Sequence, residues 1–315
     1  EQNWGPEFNY ELRDEKLGIN PALEFILDSI RFWIFEYQID GIRFDAAKQI
    51  DSFDALGSFV KNSRLMSAMK PFFTVAEFIP PTPSVTEPVG PVESCWNDSF
   101  MYTIVEYLGG GPLYFEQIKD AIDPTRIGFS SVTSVTNYLS NHDQNRLFRK
   151  LGEKGILDEE LYRRAKLGAL ILMTSLGVPM IWMGEEFGEH AVMSEQSNKI
   201  DWTLLESEPN KDLLHYYKTL IGLRTANPAF RSNKIEFFHE DAGSGVLGFH
   251  RYDEAGNSVV VVLNLSDSDL EGYTIPNFPI TGKAREWMSE LDVDITDHVL
   301  TIRLPRREGF VFTVS

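Results

Sequence analysis

Three acidic side chains close short apolar runs in this chain. Asp45 ends Gly41-Ile42-Arg43-Phe44-Asp45, Glu77 ends Phe72-Phe73-Thr74-Val75-Ala76-Glu77, and Asp143 follows Asn141-His142 at the end of the run from Ser134 to Ser140. On an extended strand alternate residues share a face, so Arg43 and Asp45 point the same way. A guanidinium beside a carboxylate favours its ionised form, the state a nucleophile needs. Taken alone, the pair equally reads as a structural ion pair. Glu77 closes so apolar a run that desolvation is expected to raise its pKa and keep a proton ready for general-acid work. Taken alone, it is simply where a strand meets water. Asn141-His142-Asp143 reads as a surface turn, a sugar-binding pair or half of a metal site. The six histidines are scattered without an HExxH motif, and no G-x-S-x-G elbow occurs, which counts against metal-dependent and serine hydrolases.

The elements that must carry these residues alternate. Asn20-Pro21 reads as an N-cap and first-turn proline, followed by a helix to about Tyr37 with Leu23, Ile26, Leu27, Ile30, Trp33, Ile34 and Tyr37 at helical spacing. A strand at Asp40–Asp45, a helix from about Ser52 to Met69 and a strand at Phe72–Glu77 come next. Five prolines between Pro80 and Pro91 make a stiff loop. A short strand near Ser94–Trp96, helices around Phe100–Leu108 and Leu113–Ile122, and a strand at Ser134–Ser140 continue the pattern. A helix at Tyr162–Ser175, a strand at Val178–Met183 and a helix from about Lys211 to Asn227 complete it. Such alternation predicts a parallel sheet with covering helices. From about Ser232 the texture changes to β-rich runs, including Val246–Tyr252, Ser258–Leu265, His298–Leu304 and Gly309–Val314. They predict an antiparallel β-sandwich. The expected domains are therefore 1–231 and 232–315.

Composition narrows the partners. Among 315 residues, 29 Lys+Arg face 47 Asp+Glu, a formal net charge of −18. That field repels nucleic acid and anionic lipid but leaves neutral polyhydroxylated substrates unaffected. One cysteine, Cys95, excludes an internal disulfide and a thiol redox motif. The uncharged stretch from Leu167 to Gly184 is broken by Gly177-Val178-Pro179 into two segments too short to span a bilayer. The expectation is a soluble chain with no membrane partner. Asp292-Val293-Asp294-Ile295-Thr296-Asp297 lacks the glycine and distal glutamate of a calcium loop and alternates like a strand, so no metal and no cofactor are expected.

Together the three acidic groups sit at the C-terminal ends of strands in a β/α chain, where barrel enzymes build their sites. One ionised and one protonated carboxylate about 5–5.5 Å apart are what retaining glycoside cleavage requires. The residues alone lead to a carbohydrate-active β/α barrel. Gly41-Ile42-Arg43-Phe44-Asp45-Ala46-Ala47-Lys48 then resembles the nucleophile segment of the α-amylase family, glycoside hydrolase family 13. Thr74-Val75-Ala76-Glu77-Phe78 resembles its acid/base segment, and Leu139-Ser140-Asn141-His142-Asp143 its third acidic segment. Trp4-Gly5-Pro6, Phe8-Asn9-Tyr10, the stretch from Pro179 to Glu186, and Ile200-Asp201-Trp202 look like further landmarks.

The resemblance implies a retaining double displacement on α-1,4-glucosidic bonds of starch or glycogen-type glucans and maltooligosaccharides. Asp45 would be the nucleophile and Glu77 the acid/base. Asp143 with His142 would hold hydroxyls of the distorted sugar, Arg43 would orient Asp45, and Lys48 would contact a neighbouring sugar. Gln49 departs from the histidine common beside that position. Trp96 reads as a core residue or as a stacking platform for glucose. The family's first conserved segment has no counterpart. With Asp45 on the fourth strand, the chain is expected to hold strands four to eight of a (β/α)8 TIM-type barrel and to lack the first three, as an N-terminally truncated sequence would. Trp96-Asn97-Asp98 and Asn141-His142-Asp143-Gln144 resemble the branching-enzyme and maltooligosyl-trehalose trehalohydrolase side of the family, so a transglycosylase is the alternative. A glucan-binding chain without turnover is a second alternative. A cytoplasmic location is the expectation, no signal peptide being visible in a sequence whose N-terminus is expected to be truncated.

Overall fold

The computed structural model describes residues 7–67, 70–194 and 199–314. Trp4-Gly5-Pro6 and the expected helix end at Met69 lie outside the described residues. The chain divides into two compact units, one of residues 1–98 with 128–136 and one of 99–127 with 137–315.

In the first unit, α1 (Pro21–Tyr37) leads to β1 (Gly41–Phe44), α2 (Phe53–Met66), β2 (Phe73–Ala76) and β3 (Ser94–Asn97). Pro21 starts α1, as a first-turn proline allows. The Asn20 side chain caps nothing, however; its amide donates to the Tyr10 carbonyl at 2.9 Å. Ser52 does cap α2, accepting the Ala55 N–H at 3.1 Å. β1 and β2 pair in parallel with Arg43 opposite Val75, and β2 pairs in parallel with β3. Next in order is β4 (Val135–Asn137), beside β3 through Cys95 N–H to Ser134 O at 3.0 Å. A side chain at Gly41 would meet the Phe73 carbonyl oxygen at 2.5 Å, so the close pairing of β1 with β2 depends on glycine there.

The unit's core joins Leu27, Ile30 and Ile34 of α1 to Leu56, Phe59 and Val60 of α2 and to Phe44, Ala76, Cys95 and Val135 from the strands. Burial pushes the Cys95 thiol up to about 12, leaving it inert. The helical spacing placed Trp33 and Tyr37 on the core stripe of α1. They are half or more exposed, packed instead against Phe32. The α1 sequence is apolar around most of its circumference, so periodicity alone did not single out the stripe that packs.

The second unit begins with α3 (Asp98–Leu108) and α4 (Phe115–Ile122). Asn137, the last residue of β4, accepts the Met180 N–H at 2.8 Å just past β5 (Val178–Pro179). The expected strands Ser134–Ser140 and Val178–Met183 are thus far shorter than their apolar runs. Pro179 removes a ladder donor, and the residues beyond it bend away as irregular backbone. Between them lie α5 (Leu147–Glu153), absent from the sequence expectation, and α6 (Asp158–Thr174). The second half of α6, from Leu167 to Thr174, is wholly buried. It packs on α7 (Glu208–Ala226). No helix among the described residues is long and apolar enough to cross a membrane.

The antiparallel part starts at Lys234. A six-stranded sheet runs in the order β11 (Asp292–Ile295), β10 (Gly282–Glu286), β13 (Glu308–Val314), β8 (Ser258–Asn264), β7 (Val246–Tyr252) and β6 (Lys234–Asp241). A second sheet pairs β12 (Leu300–Leu304) with β9 (Leu270–Ile275). Val260, Val262 and Phe312 of the first share one core with Ile275, Leu300 and Leu304 of the second, the layered packing expected of a sandwich. Among the described residues β1 to β5 are the parallel-sheet strands, and they do not close into a barrel.

Candidate active site

In the first unit, β1 and β2 deliver two carboxylates to one cation. Asp45 stands immediately after β1 and Glu77 immediately after β2, and the ladder continues into both turns: Glu77 N–H donates to Phe44 O at 2.9 Å and Ala47 N–H to Glu77 O at 2.8 Å. Arg43 Nη1 lies 2.7 Å from Asp45 Oδ1, and Arg43 Nη2 lies 2.8 Å from Glu77 Oε2. The same Glu77 oxygen accepts the Ala46 N–H at 3.0 Å. That amide is aimed by an unusual backbone, because Ala46 sits in the left-handed region at φ +44°, rarely occupied by residues other than glycine.

The surroundings of Glu77 therefore differ from the bare apolar strand end expected of it. A guanidinium and a backbone amide both donate to its carboxylate. What separates the two acids is exposure: the Asp45 side chain is 74% exposed and that of Glu77 17%. Trp96 resolves as a core residue, 5% exposed, with the Arg43 guanidinium 4.1 Å above its ring. The ring occupied by arginine on one side acts as a floor that fixes the fork's plane. Lys48, exposed on a 3-10 turn at Ala47–Ile50, donates to the Ile79 carbonyl at 3.3 Å.

In the second unit, the backbone leaves β4 and stays buried through Ser140 and Asn141 before His142 and Asp143 emerge, each about half exposed. Asn141 Oδ1 accepts the Asp143 N–H at 3.0 Å, which fixes the turn. His142 Nε2 lies 3.4 Å from Asp143 Oδ1. The imidazole is 6.1 Å from the Trp182 ring, and the Arg146 guanidinium lies 5.4 Å above that same indole. Arg146 Nε donates to the Met183 carbonyl at 2.9 Å.

Trp182 and Arg146 were not singled out in the sequence. Trp182 was read as part of a strand; the signal available was its place between Pro179 and Gly184, which rules out a long strand. Glu185 was also missed. It is 2% exposed, takes hydrogen bonds from the Ser140 and Tyr217 hydroxyls, and burial pushes its carboxyl up to about 7 against those two donors. Nearby Glu189 goes the other way. Burial opposes its charge, but the N–H groups of Asp201, Ala191 and His190 and the charge of Arg146 pull its carboxyl below the ordinary value. Three backbone amides and the Arg146 charge outweigh a smaller desolvation at Glu189, whereas two hydroxyls do not outweigh the deeper burial of Glu185. Among the described residues no group of three or more His, Cys, Asp and Glu side chains is arranged to hold a metal.

Comparison with known proteins bears on this arrangement. The Alpha-amylase model, describing the alpha amylase catalytic domain, matches residues 111–213. That stretch contains Asn141-His142-Asp143 and Glu185. A 1,4-alpha-glucan branching enzyme GlgB of Novosphingobium aromaticivorans is 22% identical, over 92% of this chain and 46% of its own length. Neopullulanase 2 of Thermoactinomyces vulgaris is 26% identical, over 82% of this chain and 42% of its own. The chain spans about half the length of these curated relatives. Among solved structures, AmyP in complex with maltose superposes with a TM-score of 0.80 at 19% identity, covering 93% of this chain and 67% of that one. A pullulanase from Anoxybacillus sp. LM18-11 complexed with maltotriose gives 0.77 at 19%, covering 96% and 49%. The fold is thus that of the α-amylase-type structures, and residues 111–213 match the alpha amylase catalytic domain.

Proposed function

We propose that the chain carries the catalytic carboxylates of a retaining glycoside hydrolase acting on α-1,4-glucosidic bonds of starch or glycogen-type glucans. One observation carries the reading: a single guanidinium, that of Arg43, holds Asp45 and Glu77 at 2.7 and 2.8 Å. A fork gripping two carboxylates beside strand ends sets their mutual geometry before substrate arrives, which is the form preorganisation takes in a double displacement. Asp45, exposed and paired, attacks the anomeric carbon. Glu77, more enclosed, delivers a proton to the leaving oxygen and then draws one from water. Asp143 and His142 take the sugar hydroxyls, and Lys48 a neighbouring sugar. The strong negative charge favours a neutral glucan over nucleic acid or membrane, and a cytoplasmic site of action fits that substrate. The barrel portion at 1–231 and the β domain at 232–315 are the working division.

Branching enzymes among the relatives favour a second reading, transfer of the glucosyl chain to another glucan. The open parallel sheet favours a third, glucan binding without turnover. An assay on amylose following reducing ends and iodine colour together, with Asp45→Asn as blank, separates them. Reducing ends that rise only with Asp45 intact mean hydrolysis. New α-1,6 branches without rising reducing ends mean transfer. Glucan binding without turnover, unchanged in Asp45→Asn, overturns the catalytic reading.

A further inference from the structure

Glu185 occupies a 3-10 turn, Glu185–Phe187, between two left-handed glycines, Gly184 and Gly188. It is as buried as the leucines around it, yet among the described residues no basic side chain pairs with it. Its Oε2 accepts the Ser140 hydroxyl, and its Oε1 accepts the Tyr217 hydroxyl from α7 at 3.4 Å. An acid buried this way is an expensive means of filling space, since a hydrocarbon of the same size would avoid the desolvation. The position of its partner is informative: Ser140 immediately precedes Asn141-His142-Asp143. The residue that immediately follows them, Gln144, is also anchored. Its side-chain oxygen accepts from Lys150 of α5 at 2.6 Å.

We propose that Glu185 is a positioning residue for the Asn141-His142-Asp143 segment, gripping Ser140 at one end while Lys150 grips Gln144 at the other. This rests on the functional reading above for its meaning in catalysis, though not for its geometry. The grip depends on charge. An ionised Glu185 accepts from both hydroxyls; once protonated it must donate on one side, and either Ser140 or Tyr217 has to turn its own hydrogen elsewhere. Burial places that change near neutrality. The groups facing the carboxyl are Ser140 at the end of the β4 run, Tyr217 on α7, Lys150 on α5, whose charge favours ionisation, and Glu186 on the same turn, whose charge opposes it. The segment bearing His142 and Asp143 therefore changes its anchorage across neutral pH.

The test is an amide titration of the nitrogen-15-labelled 315-residue chain between about pH 5 and pH 9, bracketing the ordinary carboxyl and imidazole ranges. His142→Gln serves as background, so that imidazole titration does not intrude. The Ser140 and Asp143 amides should shift together with a midpoint near 7, and both shifts should vanish when Glu185→Gln is added. Ser140→Ala, which keeps the carboxyl and cuts the link, should uncouple Asp143 alone and serves if the glutamine variant fails to fold. Identical midpoints with and without Glu185, or an Asp143 shift that survives Ser140→Ala, overturn the proposal. In the kinetic arm, Glu185→Gln in the otherwise unmodified chain should lower kcat about tenfold, leave KM unchanged and flatten the pH profile near 7. Absence of turnover in the unmodified chain overturns the functional reading and leaves the amide titration to decide on positioning.

Discussion

Glu77 and Glu185 each close an apolar run, one in each compact unit, and they are met by opposite company. Glu77 receives a guanidinium and a backbone amide; Glu185 receives two hydroxyls, while the nearby Lys150 ammonium donates to Gln144 instead. The first arrangement fixes a carboxyl group in place beside solvent, where the proposed reaction needs it. The second keeps a charge at the edge of favourability, where only an anchor is needed. Sequence position does not tell these cases apart. What does is which donors the neighbouring strands and helices happen to present, and those come from far along the chain.

Breaking the first arrangement should have the largest effect. Asp45→Asn removes the oxygen proposed to attack while keeping its shape, and under that proposal turnover of amylose should fall by about 10³-fold or more, with an unchanged circular dichroism spectrum. A smaller loss would mean that the shared guanidinium marks a structural ion pair. The second arrangement is probed by pH. Glu185 has a folded value of about 7 against an ordinary 4.5, so the native state holds a proton that the unfolded chain has released. Its contribution to stability is greatest below about 4.5, declines as pH rises to about 7 and is level beyond, a span of about 3 kcal/mol. Urea unfolding of Glu185→Gln against the unmodified chain should show that slope only where Glu185 is present.

Arg43→Ala should cost about 2 kcal/mol of stability, because the enclosed Glu77 loses a charged donor, with activity falling alongside. Arg43→Lys should recover little of either, since an ammonium cannot fork to two carboxylates over a flat indole. Equal stability of the alanine and arginine forms in urea would show Glu77 to be better solvated than its burial indicates. The smallest effect sharpens the contrast as a control. Ser52→Ala in the same unit removes the α2 cap without touching either carboxylate, and should lower stability by about 1 kcal/mol with turnover unaffected.

The sequence made Arg43, Asp45 and Glu77 legible because β1 and β2 are short, apolar and followed at once by the acid. Local pattern and the proposed site coincide there. It made α6 and the strands β7, β8, β12 and β13 legible through their apolar or β-rich runs, and α2 as a polar segment of helical texture between two strands. Trp182 and Glu185 were hidden because their backbone is irregular and only the tertiary fold turns one toward His142 and the other toward Ser140. The helix α5 was hidden by its length, two turns of Leu-Phe-Arg-Lys-Leu-Gly-Glu, too short for a period to show. The strands β6, β9 and β10 carry charged residues and glycine on exposed faces, which masks the alternation that a half-buried strand otherwise displays.

The left-handed Ala46 carries a consequence for any attempt to stabilise the chain. A Cβ held at φ +44° stores about 1–2 kcal/mol in the loop that aims an amide at Glu77. Ala46→Gly would release that strain, and random selection for heat resistance should find it early. The relieved loop would have many more conformations open to it, and the amide would no longer be aimed at one of them. Durability and a well-set carboxylate thus pull on the same methyl group in opposite directions.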